Sequence, residues 1–125
     1  MNLLGMSTRK ELDNVIESIL LHYVSEHYEH SMQVQTLADQ IHSCLPKQLI
    51  YIDGQDIILH AAAGLHDIGW HLGQKKHNIT SMNMIIGCEL PGMSLAIRKL
   101  VALAAMYHRK SLPVETDDYY CKLDD

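Results

Sequence analysis

The chain has no run of about 18 apolar residues, so a membrane-spanning helix is not expected. Its N-terminus lacks a basic segment followed by an apolar stretch and a small-residue cleavage site, so no signal peptide is read. Cysteine is sparse. Cys44, Cys88 and Cys121 are odd in number, far apart and form no CxxC pair, which argues against a zinc ribbon or a disulfide framework. A reducing, cytoplasmic location follows as the expectation. Positive charge is also in short supply, with 10 Lys and Arg against 15 Asp and Glu and a formal net charge of −5. That balance argues against nucleic acid as a partner. No internal repeat and no low-complexity segment is present.

The 125 residues suffice for one domain with its own core. The compositional anomaly is histidine, nine residues in all. The basic residues are bunched in Lys75-Lys76, Arg98-Lys99 and Arg109-Lys110, and the acidic ones gather towards the C-terminus.

Hydrophobic spacing predicts an all-α chain, a compact bundle of about five helices. Thr8 and Glu11 fit a capping box for a first helix over Arg9–Glu26, with Leu12, Ile16, Ile19 and Tyr23 at helical spacing and Leu20 and Val24 beside them. A second helix over Glu29–Cys44 carries the stripe His30, Val34, Leu37, Ile41, expected to face inward. Pro46 closes it. Tyr51 to Gly54 reads as a turn, and a strand over Leu49 to Ile52 would have no partner strand. Asp56 can cap a third helix that runs to Ile68 and is stopped by Gly69. Trp70 to Lys76 reads as a loop. Asn78 can cap a fourth helix to about Ile86, ended by Gly87. Glu89 to Gly92 is a turn. Ser94 can cap a fifth helix with the stripe Ile97, Val101, Ala104 and His108. The helical core is expected over about 9–110, with 111–125 a loop or partly disordered tail.

The stretch Ala61-Ala62-Ala63-Gly64-Leu65-His66-Asp67 carries the first functional signal. An apolar helix ends in a His-Asp pair, and an unpartnered polar group in a core costs several kcal/mol. A divalent cation would compensate both residues. His30 and His108 also terminate apolar stripes, on two other helices. Each histidine alone is explained as well by a bond to a backbone carbonyl. Three of them with Asp67, on faces that must pack together, point to a shared site. A His and carboxylate set suits Mn, Fe, Zn or Mg rather than a thiolate metal. Such an ion activates water and polarises a phosphoryl oxygen. Lys75, Lys76, Arg109 and Lys110 could hold phosphate oxygens, although a solvated loop and a helix end favoured by the macrodipole explain them too. His77 is either a ligand or an exposed loop residue. His22, His27, His42, His60 and His71 read as surface or packing residues. Met82, Met84 and Met93 read as core filler. Trp70 reads as a packing anchor beside the site or as a pocket wall. Cys88 has no basic neighbour in sequence that would make it a nucleophile.

His30, then His66-Asp67, then His108 resembles the HD superfamily of metal-dependent phosphohydrolases. More narrowly, Leu65 to Trp70, Lys75-Lys76-His77, Leu90-Pro91-Gly92 and Tyr107 to Pro113 resemble the C-terminal HD region of the Ppx/GppA exopolyphosphatase family, over roughly Leu12 to Pro113. The resemblance implies that His30, His66 and Asp67 hold a divalent metal, with His108 and His77 as further ligands or supporting groups. It implies catalysis at Asp67 and its metal, and a small phosphorylated ligand held by Lys75, Lys76, Arg109 and Lys110. The superfamily's fourth ligand, an Asp on a late helix, has no clear counterpart, since Asp117 and Asp118 follow Pro113 too closely. A short form of the domain, or a second copy of the chain completing the set as a homo-oligomer, would account for that. In the Ppx/GppA phosphatases the hydrolysis belongs to N-terminal ATPase-like domains, which this chain does not resemble; it has no Gly-rich phosphate loop. Two readings stay open. One is an HD-type phosphohydrolase or phosphodiesterase; the other is a non-catalytic HD module that binds a phosphorylated ligand or a partner protein.

Overall fold

The structure is a computed structural model that describes residues 6–49, 53–72 and 77–106. Among these residues the fold is all-α: five helices, three short 3-10 turns and no strand. The helices are α1 (Met6–Tyr23), α2 (Tyr28–Ser43), α3 (Gln55–Leu65), α4 (His77–Gly87) and α5 (Leu95–Met106).

Leu12, Ile16 and Leu20 of α1 and Val24 just after it follow one another at intervals of four and are fully buried. The expected stripe ran through Leu12, Ile16, Ile19 and Tyr23 with Leu20 and Val24 beside it; in the structure Leu20 and Val24 take the buried line, and Ile19 and Tyr23 pack partly buried at its margin. The helix begins at Met6 and ends at Tyr23, three residues earlier at each end than expected. Val24 leaves helical dihedrals (φ −141°, ψ 55°), and a 3-10 turn over Ser25–His27 leads into α2.

α3 is the central element. It packs against α2 on one side and α5 on another, with further contacts to α1. Its residues from His60 onward are buried on every face, as expected of a helix surrounded by others. Its start differs from the sequence expectation. Gly54, at φ 78°, is the N-cap, and the Ile58 amide donates to its carbonyl at 2.9 Å. Asp56 lies inside the first turn, where its charge favours the positive end of the helix. The helix ends at Leu65 rather than Ile68. Gly69 does not stop it, but sits inside a 3-10 turn over Ile68–Leu72, the first part of the expected loop.

α2 departs furthest from expectation. Its buried residues are Ser31 and Gln35, while Leu37 and Ile41 are exposed. The stripe His30, Val34, Leu37, Ile41 therefore does not form the inward face. The reason lies across the contact. α3 presents Gly64, where an added Cβ would come within 2.8 Å of Gln35 Nε2 and 3.2 Å of Ile16 Cγ2. Gln35 Nε2 donates to the His60 carbonyl at 3.1 Å. A small residue and an amide fill the close approach, leaving little room for leucine.

α4 and α5 pack on each other. Met82 and Ile85 on α4 and Val101, Ala102, Ala105 and Met106 on α5 join the core, with Met84 and Met93 packed against it. Ser94 caps α5, accepting from the Ile97 amide at 3.3 Å. Arg98 Nη1 donates to the carbonyls of Ile86 (3.2 Å) and Cys88 (2.5 Å) at the end of α4. The expectations for Tyr51 and Ile52, Lys75, Lys76 and residues 107–125 lie outside the described residues, and so do His108, Arg109 and Lys110. No helix among the described residues is long and apolar enough to cross a membrane.

Candidate metal centre

His66 and Asp67 follow directly on the last turn of α3, and both are buried. The His66 Nδ1 lies 2.6 Å from the carbonyl oxygen of Ala63. A carbonyl only accepts, so Nδ1 carries the hydrogen. This bond fixes the ring and turns Nε2 towards Asp67, whose Oδ2 is 3.1 Å away. A neutral ring so oriented presents a lone pair to a carboxylate. A second ring proton, or a cation lying between them, relieves that opposition.

His30 arrives from α2. Its Nε2 stands 3.7 Å from the same Asp67 Oδ2, beyond hydrogen-bonding distance, and its ring centroid is 5.5 Å from that of His66. One donor atom from each of His30, His66 and Asp67 falls within 4.8 Å of the other two. Ligand atoms about 2.0–2.2 Å from one metal lie roughly 3–3.5 Å apart. The 3.1 Å and 3.7 Å separations from Asp67 come near that range, and the two imidazoles, within 4.8 Å of each other, have to draw closer around an ion. The donors are two imidazoles and a carboxylate. The Ala63 carbonyl supplies the supporting hydrogen bond that ligating histidines ordinarily have. The residues present therefore fit a divalent cation. The centre has a dry side and a wet side: the His66 and Asp67 side chains are 9% and 11% exposed, whereas His30 is 57% exposed. Access is from the His30 side.

Supporting contacts hold the His-Asp segment. The Trp70 amide donates to the Asp67 carbonyl at 3.0 Å, continuing the chain as a 3-10 turn. The Gly69 amide donates to Ser81 Oγ on α4 at 2.7 Å. Nothing in the sequence around Ser81 signals that role, because serine inside a helix is ordinary. Trp70 is half-buried against the core, and its ring meets that of His27 at 5.2 Å.

Of the residues singled out in the sequence, His30, His66 and Asp67 come together. His77 opens α4, and its side chain lies outside the described residues, as do His108, Lys75, Lys76, Arg109 and Lys110. Burial pushes the Cys88 thiol above its ordinary value, against a smaller opposing pull from Arg98, so the nucleophilic thiolate is disfavoured.

A second histidine cluster was not visible in the sequence. His60, buried on α3, has its Nε2 2.6 Å from Asp13 Oδ1 on α1 and its Nδ1 2.8 Å from Asp39 Oδ2 on α2. Arg9 lies over it, 4.0 Å from Asp39, 3.8 Å from Asp56 and 3.4 Å from the ring. Both ring nitrogens face carboxylate oxygens at hydrogen-bonding distance, so neither is turned to an open site. The cluster ties three helices together.

No curated protein and no solved structure matches the chain. A family model does: Ppx/GppA phosphatase, domain III, over residues 14–123, a span that contains His30, His66 and Asp67 and runs past the resemblance expected to end at Pro113. The chain belongs to the Ppx/GppA phosphatase domain III family, a phosphatase-related family.

Proposed function

We propose that His30, His66 and Asp67 hold a divalent cation, and that the chain is an HD-type metal-dependent phosphohydrolase or phosphodiesterase acting on a nucleotide or small phosphate ester. The observation that supports this is the convergence of His30, from α2, with the adjacent pair His66 and Asp67 after α3, with the His66 tautomer set by Ala63. A divalent cation bound there supplies Lewis acidity towards a phosphoryl oxygen and towards water. The protein's own residues do the rest. Asp67 offsets the charge, the Ala63 bond keeps the His66 Nε2 lone pair available, and the exposed side of His30 leaves a path for ligand. His77 and His108 are the candidates for further ligands. Lys75, Lys76, Arg109 and Lys110 are the candidates for holding phosphate oxygens, with Arg109 able to do so through its bidentate fork.

A second reading, a non-catalytic HD module that binds a phosphorylated ligand or a partner protein, is favoured by one observation. Only three donors converge among the described residues. Purified protein stripped with chelator, reloaded with Mn, Fe, Zn or Mg and assayed on a generic phosphodiester and phosphomonoester separates the two. Turnover that needs metal and is lost in Asp67→Asn supports the enzyme. Metal uptake without turnover supports the module. Failure to bind any of the four metals overturns both.

A further inference from the structure

Two contacts, not one, join the start of α2 to the segment after α3. The first is His30 against Asp67 and His66. The second lies three residues earlier on one strand of chain and three later on the other, where the rings of His27 and Trp70 meet at 5.2 Å with 32° between their planes. His27 is the N-cap residue of α2, and its amide donates to the Val24 carbonyl at 2.8 Å. Its ring therefore sits at the point that decides where α2 begins and how it is aimed. Trp70 is anchored in the core and tied through its amide to the Asp67 carbonyl.

His30 needs such help. Its side chain is 57% exposed, and among the described residues no hydrogen bond fixes its ring. At the start of α2, Tyr28 and Met32 pack partly buried against the core, and none of its apolar side chains is fully buried. Ring contacts of this separation contribute about 0.5–1.5 kcal/mol beyond the area they bury. That is enough to shift several-fold the population of one aim of that helix end over another.

We propose that His27 and Trp70 are positioning residues: the tilted contact between their rings pins the first turn of α2 to the turn after α3 and so sets His30 against His66 and Asp67. The inference rests on reading those three residues as one donor set. It does not require His27 or Trp70 to touch a ligand.

The test uses the full chain with two readouts. One is Co(II) affinity by calorimetry. The other needs no metal: the cross-relaxation peak between the His30 and His66 ring protons by NMR. In His27→Ala, Co(II) binding is expected to weaken about tenfold, as when a supporting group around a metal ligand is removed. The cross-peak is expected to fade, while thermal stability changes little. His27→Phe keeps a ring over Trp70 and is expected to restore both. Trp70→Leu is expected to match His27→Ala; should it fail to fold, the His27 pair of variants decides alone. If His27→Ala equals wild type in both readouts while Asp67→Asn loses cobalt, the clasp is overturned and the donor set stands. If wild type takes up no cobalt, the donor-set reading fails. The cross-peak then decides: its loss in His27→Ala and return in His27→Phe support the clasp, and its persistence overturns it.

Discussion

Two clusters in this protein bring histidine and aspartate together, and they are built for opposite purposes. At His60 each ring nitrogen has a carboxylate at hydrogen-bonding distance, 2.6 Å to Asp13 and 2.8 Å to Asp39. The set is closed: both ring nitrogens are taken up by carboxylates from neighbouring helices. At His66 one nitrogen is committed to the Ala63 carbonyl, and the other faces Asp67 at 3.1 Å with His30 standing off at 3.7 Å. There the second nitrogen converges with Asp67 and His30 instead of being taken by one carboxylate. Proximity of His and Asp therefore does not by itself mark a metal centre. On our proposal, what sets this one apart is a ring fixed through one nitrogen, whose other nitrogen converges with donor atoms from Asp67 and His30.

The sharpest way to break this contrast is to remove one carboxylate from each cluster. Asp67→Asn is expected to weaken divalent-metal binding by more than the roughly hundredfold that losing a mere supporting partner can cost. Asp13→Asn and Asp39→Asn are expected to leave it unchanged. Calorimetric titration with Co(II) or Mn(II) compares the three. Equal losses in all would erase the distinction between the two clusters.

The complementary change is His60→Ala, which leaves Asp13 and Asp39 without the ring that links them. Leaving a buried acceptor without its donor costs about 1–3 kcal/mol for each acceptor. Here both carboxylates are partly exposed, at 47% and 37%, so water recovers part of that, and about 2 kcal/mol is expected. Urea unfolding measures it. Metal affinity of the folded variant is expected to stay at the wild-type value, because the cluster ties helices together and does not face the centre.

How much of this could be read from the sequence depended on what each residue's surroundings were made of. The His-Asp pair was legible because its apolar approach, Ala61 to Leu65, leaves polar side chains conspicuous. The α1 stripe was legible because it is strictly apolar at helical spacing. His60 lies in the same apolar stretch of α3, between Leu59 and Ala61, but its role was not legible, because its partners Asp13 and Asp39 look like ordinary surface acids until three helices meet. α2 shows the converse failure. His30 was picked out for lying on an apolar stripe that should face the core, yet Leu37 and Ile41 on that stripe are exposed. His30 reaches Asp67 from the helix's first turn, at the edge of that face. Periodicity reports that a helix is amphipathic. It does not report that a neighbouring glycine and glutamine have made the polar side the better fit.

That reversal makes its own prediction. Gly64→Ala would gain about 0.8–1.0 kcal/mol of helix propensity in isolation. Here the new methyl would meet Gln35 Nε2 at 2.8 Å and Ile16 Cγ2 at 3.2 Å. Gln35 cannot swing away without giving up its bond to the His60 carbonyl, so overpacking of about 1–3 kcal/mol outweighs the propensity gain. A net loss of about 1 kcal/mol is expected in urea unfolding. A stabilised variant would show that α2 and α3 are not in tight contact.

Ser31, beside His30 on the buried side of α2, gives the smallest effect and tests the same packing from the other helix. Its side chain is fully buried, and its Oγ has no hydrogen-bond partner among the described residues. Removing a hydroxyl normally strands the group it served, which is why such changes cost stability. Ser31 Oγ leaves nothing stranded. Ser31→Ala removes a desolvated oxygen, raises helix propensity slightly and opens a gap smaller than a methyl group. These terms nearly cancel, with the balance towards stabilisation, so stability is expected to change by less than about 0.5 kcal/mol. A loss well above that in urea unfolding would mean that the hydroxyl serves a hidden partner across the α2–α3 contact. The polar character of this helix's inner face would then be a working bond rather than a consequence of close approach.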